Sequence, residues 1–166
     1  MTRQEKVIWA AGFIDGEGSI SIGLHQKRHQ LFLSATQVKI EPLLELKELW
    51  GGLVGIHRKA IGNQRTVYIW QVVTKRAAQA CLEMLPYLHV KHAEAELAIQ
   101  FSKLIRVHGS RVNRGFQDNE RLTKVEIAER EAMRQVLKQL HHELEPTILQ
   151  SKLRLAKKTP QLRMLL

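Results

Sequence analysis

The sequence predicts an α+β fold built around an antiparallel sheet of four strands, and three observations predict it. Apolar residues recur at helical spacing in some segments and alternate strictly in others. These segments follow one another as helix, hairpin, helix, hairpin, helix, helix, which groups the strands into one antiparallel sheet with helices beside it. The first helix is apolar almost all round, so its neighbours are expected to bury it. The 166 residues suffice for one domain with a real core, and the 44% of apolar residues are spread throughout, which excludes global disorder.

Residues 3–15 lack proline and carry Val7, Ile8, Trp9, Ala10, Ala11, Phe13 and Ile14, which predicts the first helix. Ala10, Ala11 and Gly12 are small enough to admit another backbone. The helix is expected to stop at Asp15-Gly16-Glu17-Gly18. Residues 19–26 then alternate, with Ile20, Ile22 and Leu24 against Ser21, Gly23 and His25, as in a half-buried strand. Lys27-Arg28-His29 reads as a basic turn and residues 30–39 as the returning strand. Pro42 fits the first position of a short helix over 43–50, closed by Gly51-Gly52. Residues 53–59 and 66–74 predict a second hairpin around the polar loop 60–65.

Helices are expected over 75–85 and 90–107, the latter from the spacing of Val90, Ala93, Leu97, Phe101 and Leu104. Residues 107–118 read as a basic loop holding Arg111 and Arg114. Thr123 and Glu126 form a capping box that starts a long helix to about residue 145, with Val125, Ala128, Ala132, Val136 and Leu140 along one side. Pro146 interrupts it. Residues 147–166 carry five Lys/Arg and no acid, which fits either a basic amphipathic helix or a frayed tail. The domain thus divides into a core, 1–105, and a basic loop with a helical extension, 106–166. No segment repeats.

Lys and Arg number 26 against 16 Asp and Glu, a formal charge of +10. That surplus points to a polyanionic partner, nucleic acid before an anionic membrane surface. The single cysteine, Cys81, excludes a disulfide within the chain and a cysteine-based zinc site. The eight histidines show no metal-ligand spacing, and the adjacent His141 and His142 point to different sides of a helix, so the histidines read as solvated. No apolar run approaches the roughly 20 residues of a membrane span. No signal peptide is evident, so no membrane partner and an intracellular, reducing setting are expected.

Asp15-Gly16-Glu17-Gly18 places two carboxylates where a buried helix meets a strand. They read either as polar turn residues or as the start of a cation site, since buried carboxylates are costly unless paired or metal-bound. Oxygen ligands of this type suit Mg²⁺ or Ca²⁺ and not zinc. One such carboxylate per chain is a thin site. Two copies, joined through two close-packed helices, make a usable one.

The stretch Trp9-Ala10-Ala11-Gly12-Phe13-Ile14-Asp15-Gly16-Glu17-Gly18-Ser19-Ile20 resembles the LAGLIDADG motif of homing endonucleases. Glu17 stands where the motif's name has Asp, and Trp9 replaces the usual leucine. The resemblance implies that Trp9, Ala10, Gly12 and Phe13 meet a second such helix. It also implies that Glu17, with the Gly16 carbonyl, binds the metal. Pro86-Tyr87-Leu88-His89-Val90-Lys91 resembles the family's proline–aromatic–leucine–x–x–lysine segment, which makes Lys91 the lysine near the scissile phosphates. By the same resemblance Gln37 or Lys39, at the end of the second strand, organises water. Residues 46–52 fit as well, and the likeness runs over about 7–104.

The sheet would read the major groove through Ser21, His25, Lys27, Arg28 and Gln30 on the first hairpin. Arg58, Lys59, Gln64 and Arg65 would do so on the second. Trp9, Trp50 and Trp70 are expected in the core.

The implied activity is a double-strand break with short 3′ overhangs in a long, pseudo-palindromic DNA target by a symmetric homodimer. Mg²⁺ would serve as cofactor, Mn²⁺ would substitute, and Ca²⁺ would bind without supporting cleavage. The setting would be a bacterial or phage cytoplasm or an organelle. The alternative is a non-cleaving DNA- or RNA-binding relative such as an intron-splicing maturase, and the presence of both Glu17 and Lys91 favours the nuclease. A ribosome-associated basic protein would explain the charge but not the Asp-Gly-Glu-Gly terminus.

Overall fold

The computed structural model describes residues 1–25, 28–105 and 123–143. Lys27, the basic loop with Arg111 and Arg114, and the tail 147–166 lie outside these residues. Helix α1 spans Arg3–Glu17, two residues longer than expected. It starts in a capping box: the Thr2 hydroxyl accepts from the Glu5 N–H, and the Glu5 carboxylate accepts from the Thr2 N–H. Strand β1, Gly18–His25, follows without a loop. The junction demands glycine at 18, because a Cβ there would lie 2.6 Å from the Ile14 carbonyl oxygen.

Strand β2 runs over Arg28–Gln37 and pairs antiparallel with β1, Ile20 opposite Leu33. The expected basic turn at 27–29 is therefore corrected. Arg28 and His29 already belong to β2, and His29 faces inward, buried against the last helix rather than solvated. Helix α2 is Glu41–Trp50. Gly51 and Gly52 end it with positive φ, and a Cβ on Gly52 would strike the Gln71 carbonyl. Strands β3, Leu53–Arg58, and β4, Val67–Val73, form the second hairpin. The sheet order is β1-β2-β4-β3, antiparallel at each pairing, so the two hairpins meet through β2 and β4.

Helices α3, Thr74–Met84, and α4, His92–Leu104, are joined by a 3-10 turn over Leu85–Tyr87. Helix α5 covers Lys124–Glu143 and opens on the expected Thr123–Glu126 capping box. One face of the sheet and these helices enclose the core, in which Trp70, Phe101, Ile14, Ile20, Leu31, Leu33, Leu43, Leu46 and Met84 are fully buried. The Trp70 indole donates to the Gly51 carbonyl at 2.8 Å, and that of Trp50 to Glu83 at 3.0 Å. Cys81 is buried too, and burial pushes its thiol up to about 12, which leaves it an inert filler. Among the described residues no helix is long and apolar enough to cross a membrane.

Two helical faces differ from the expectation. In α4 Glu94, Ala95, Ala98 and Phe101 are buried and Leu97 packs against the core, so Leu97 and Phe101 stand as expected, while Val90 precedes the helix and, like Ala93, is exposed. In α5 they are Arg130, Met133, Leu137 and Leu140, while Val125, Ala128, Ala132 and Val136 face outward. The reason is the same in both. A charged residue, Glu94 or Arg130, occupies the inward face, where apolar spacing predicts none. The Arg130 guanidinium donates to the Leu104 carbonyl at the end of α4, while its stem packs inside.

Candidate active site at the end of the first helix

Helix α1 has two unlike faces. Val7, Ala10, Ala11 and Ile14 point into the chain's own core. Ile8, Gly12 and Gly16, spaced one turn apart, are exposed, and a Cβ on either glycine would meet nothing within 4 Å. Trp9 and Phe13 flank this stripe, half-buried and stacked at 5.4 Å. Of the all-round burial expected of α1, this chain itself supplies one side and leaves the other bare. Ala10, grouped with Trp9, Gly12 and Phe13 from sequence, is fully buried within the chain and lies off the stripe.

The last turn of α1 holds Asp15 and Glu17 and no basic residue. Acids at a helix C-terminus oppose the macrodipole, so they call for cations nearby. For Asp15 the answer comes from the segment before α4. Its carboxylate accepts the N–H groups of His89 at 2.7 Å and Lys91 at 2.9 Å, while Lys91 Nζ donates to the Asp15 carbonyl at 2.7 Å. Burial pushes the Asp15 carboxyl up, but the N–H groups of His89, Lys91 and Val90 and the Lys91 charge outweigh it and hold it below the usual carboxylate value. Asp15 is therefore not a free turn residue. It is the post on which Lys91 is mounted. Sequence reading missed that role, although an acid set against the helix dipole was its signal.

Glu17 ends the helix exposed to solvent, next to the exposed Gly16. Among the described residues no group of three or more His, Cys, Asp or Glu side chains is placed to hold a metal. What one chain offers is the Glu17 carboxylate and the α1 terminal carbonyls: hard oxygen donors at the negative end of a helix, fit for Mg²⁺ or Ca²⁺ but too few alone.

Gln37 closes β2, two residues beyond the Ala35–Gly18 pair, and its side-chain oxygen accepts the Val38 N–H at 2.7 Å. Lys39 is exposed just past the strand. Behind Lys91, Glu94 is buried. Burial raises its pKa against the lowering effect of His141, 3.6 Å away, and of the Lys91 charge. His29, Glu94 and Arg130 are the buried charged or polar residues of the described chain, and each meets α5 or belongs to it. His29 pairs with Glu131 at 2.8 Å.

The outer face of the sheet is open. Ser21 and Gln30 sit on it, with His25 and Arg28 paired at its far end. The Gln30 amide donates to the Thr74 hydroxyl at 3.2 Å. Arg58 ends β3 opposite Val67, and Lys59, Gln64 and Arg65 are exposed in the β3–β4 loop. Sequence reading left out Ser34, Thr36 and Gln71, which share this face. Counting alternate positions outward from the inward Leu33 and Trp70 finds them.

No protein-family model and no curated protein matches the chain. Solved structures do. It superposes on the homing endonuclease I-CvuI in complex with its target, at a TM-score of 0.61 and 21% identity over 83% of each chain. A second I-CvuI complex is 27% identical at a TM-score of 0.50, covering 61% of this chain and 68% of that one. An archaeal intron-encoded homing endonuclease, I-Vdi141I, complexed with DNA, matches at a TM-score of 0.61 and 18% identity over 82% of this chain and 84% of that one. This chain has the LAGLIDADG homing endonuclease fold, in the form that carries the motif helix once.

Proposed function

We propose that the protein is a site-specific DNA endonuclease that cuts both strands of a long, pseudo-palindromic target as a homodimer. The observation that carries this reading is the Asp15 mount, which fixes Lys91 Nζ on the last turn of α1 two residues from the exposed Glu17. The fold likeness adds weight, since I-CvuI and I-Vdi141I are described bound to DNA.

The bare stripe of Ile8, Gly12 and Gly16 suits the same stripe of a second copy, because small residues let two helices approach closely. Trp9 and Phe13 would close over its edges. That packing would bring two sets of Glu17 and Gly16 oxygens together and complete the donor set that one chain lacks. A divalent ion held there would stabilise charge on the attacking and leaving oxygens. Lys91, with one of its protons on Asp15, would present its charge to the phosphate as negative charge develops. In the reaction a water adds to phosphorus, one P–O bond breaks, and the leaving oxygen ends protonated. Gln37 and Lys39 stand at the strand end where that water would be ordered. Mg²⁺ is the natural ion, with Mn²⁺ as substitute and Ca²⁺ binding without turnover. The setting is intracellular.

The test is to incubate the protein with a randomised double-stranded DNA library in Mg²⁺, with Ca²⁺ in parallel. Cuts at one long, roughly palindromic sequence in Mg²⁺ alone support the reading. Enrichment of a sequence by binding, with no cut, replaces it with a binding module of the maturase kind.

A further inference from the structure

The outer face of the sheet is less polar than a surface that reads DNA by hydrogen bonds alone. In register, Ser21, Phe32 and Val73 form one row across β1, β2 and β4. Ser34, Gln71 and Leu53 form the next, and Thr36, Ile69 and Gly55 the one beyond. Phe32 and Ile69 are half-exposed and stand apart from the core, and Val73 and Leu53 are exposed. The Phe32 ring lies over Gly23 of the neighbouring strand, where a Cβ would come within 2.9 Å of it. Gln71 is the one polar side chain of this face on β4, set between Ile69 and Val73.

We propose that this face selects its target through thymine methyl groups. Phe32 and Val73 would cover one methyl and Ile69 with Leu53 another, while the Gln71 amide addresses an adenine between them. The proposal rests on the DNA-cutting reading above and adds to it the chemistry of base choice. Two arguments support DNA as the occupant. In the major groove thymine alone of the four bases presents a methyl, and a Gln amide matches the adenine N6 and N7 pair. The apolar rows also lie inside a basic rim of His25, Arg28, Arg58, Lys59 and Arg65, on a chain of charge +10. Such a rim attracts phosphates and repels a second copy of itself.

The experiment takes the target recovered from the library and replaces each dT singly with dU, which removes the methyl and keeps the base pair. Binding is measured with the full chain in Ca²⁺. One or two positions in each half-site should weaken by about fourfold, the effect of burying one methyl. Val73→Ser, which removes both methyls of the side chain, should reduce the dT preference at one of them and leave the other positions unchanged. Equal binding to dT and dU throughout a target that is still recognised, or a target without thymine, overturns the proposal and leaves the nuclease standing. A changed oligomeric state in Val73→Ser with DNA binding intact marks the face as a protein interface and overturns it as well. Failure to bind any DNA overturns both readings.

Discussion

Asp15 and Lys91 hold each other twice: the Asp15 carboxylate accepts the Lys91 N–H at 2.9 Å, and Lys91 Nζ donates to the Asp15 carbonyl at 2.7 Å. The pair spans 76 positions of sequence and joins the end of α1 to the start of α4. Removing the carboxylate leaves the His89 and Lys91 N–H groups without their acceptor. Asp15→Ala is expected to lose about 1–3 kcal/mol of stability in urea titrations. It should also slow cleavage without changing the sequence cut. The carboxyl is held below its ordinary value of about 3.8, so its contribution is present above that pH and fades as pH falls through the lower folded value.

Lys91 itself is expected to act on charge that forms during the reaction and not on recognition. Lys91→Ala should slow cleavage by about 10²–10³-fold. Affinity for the target in Ca²⁺ should stay nearly unchanged. A shifted target sequence would contradict its placement.

The two glycines at 12 and 18 make opposite predictions. A side chain at Gly12 meets open space within this chain, so Gly12→Leu should fold normally as a monomer. It should nonetheless fail to dimerise in sedimentation, and cleavage should go with the dimer. A Cβ at Gly18 strikes the Ile14 backbone, so Gly18→Ala should cost about 1–3 kcal/mol of stability. A dimer that survives Gly12→Leu would remove the α1 stripe as the interface.

Helix α5 is tied to the sheet by His29 and Glu131. The hydrogen bond from His29 comes first, then those from Gln135 and Arg134, and together they lower the Glu131 carboxyl to about 2. Because the folded value is depressed, the contribution is present above about 4.5 and lost as pH falls from there to about 2. The wild type should therefore exceed Glu131→Gln in urea midpoint at pH 6, and the gap should close across that window.

Much of the fold was legible because it follows periodicity. Ile20 and Ile22, then Leu31 and Leu33, alternate as half-buried strands must, and the Thr123–Glu126 box starts α5 as its residues dictate. Motif resemblance singled out Glu17 and Lys91, and the structure brings Lys91 to the last turn of α1, where Glu17 lies. What was not legible depends on contacts between segments far apart in sequence. Asp15 reads as a turn residue until His89 and Lys91 arrive from the other end of the core. His29 reads as solvated until α5 covers it, and the inward places of Glu94 and Arg130 shift the packed faces of α4 and α5 from those that apolar spacing predicts. Ile8 reads as buried with the rest of α1, because apolar character alone does not distinguish a face turned to the chain's own core from one that it leaves bare.

The most direct test of the central claim is cleavage and binding of the recovered target by Glu17→Gln, which keeps the shape of the side chain and removes its charge. The account predicts that Mg²⁺-dependent cutting is lost while specific binding in Ca²⁺ stays close to wild type. Metal-dependent cutting at the same site by Glu17→Gln would contradict it.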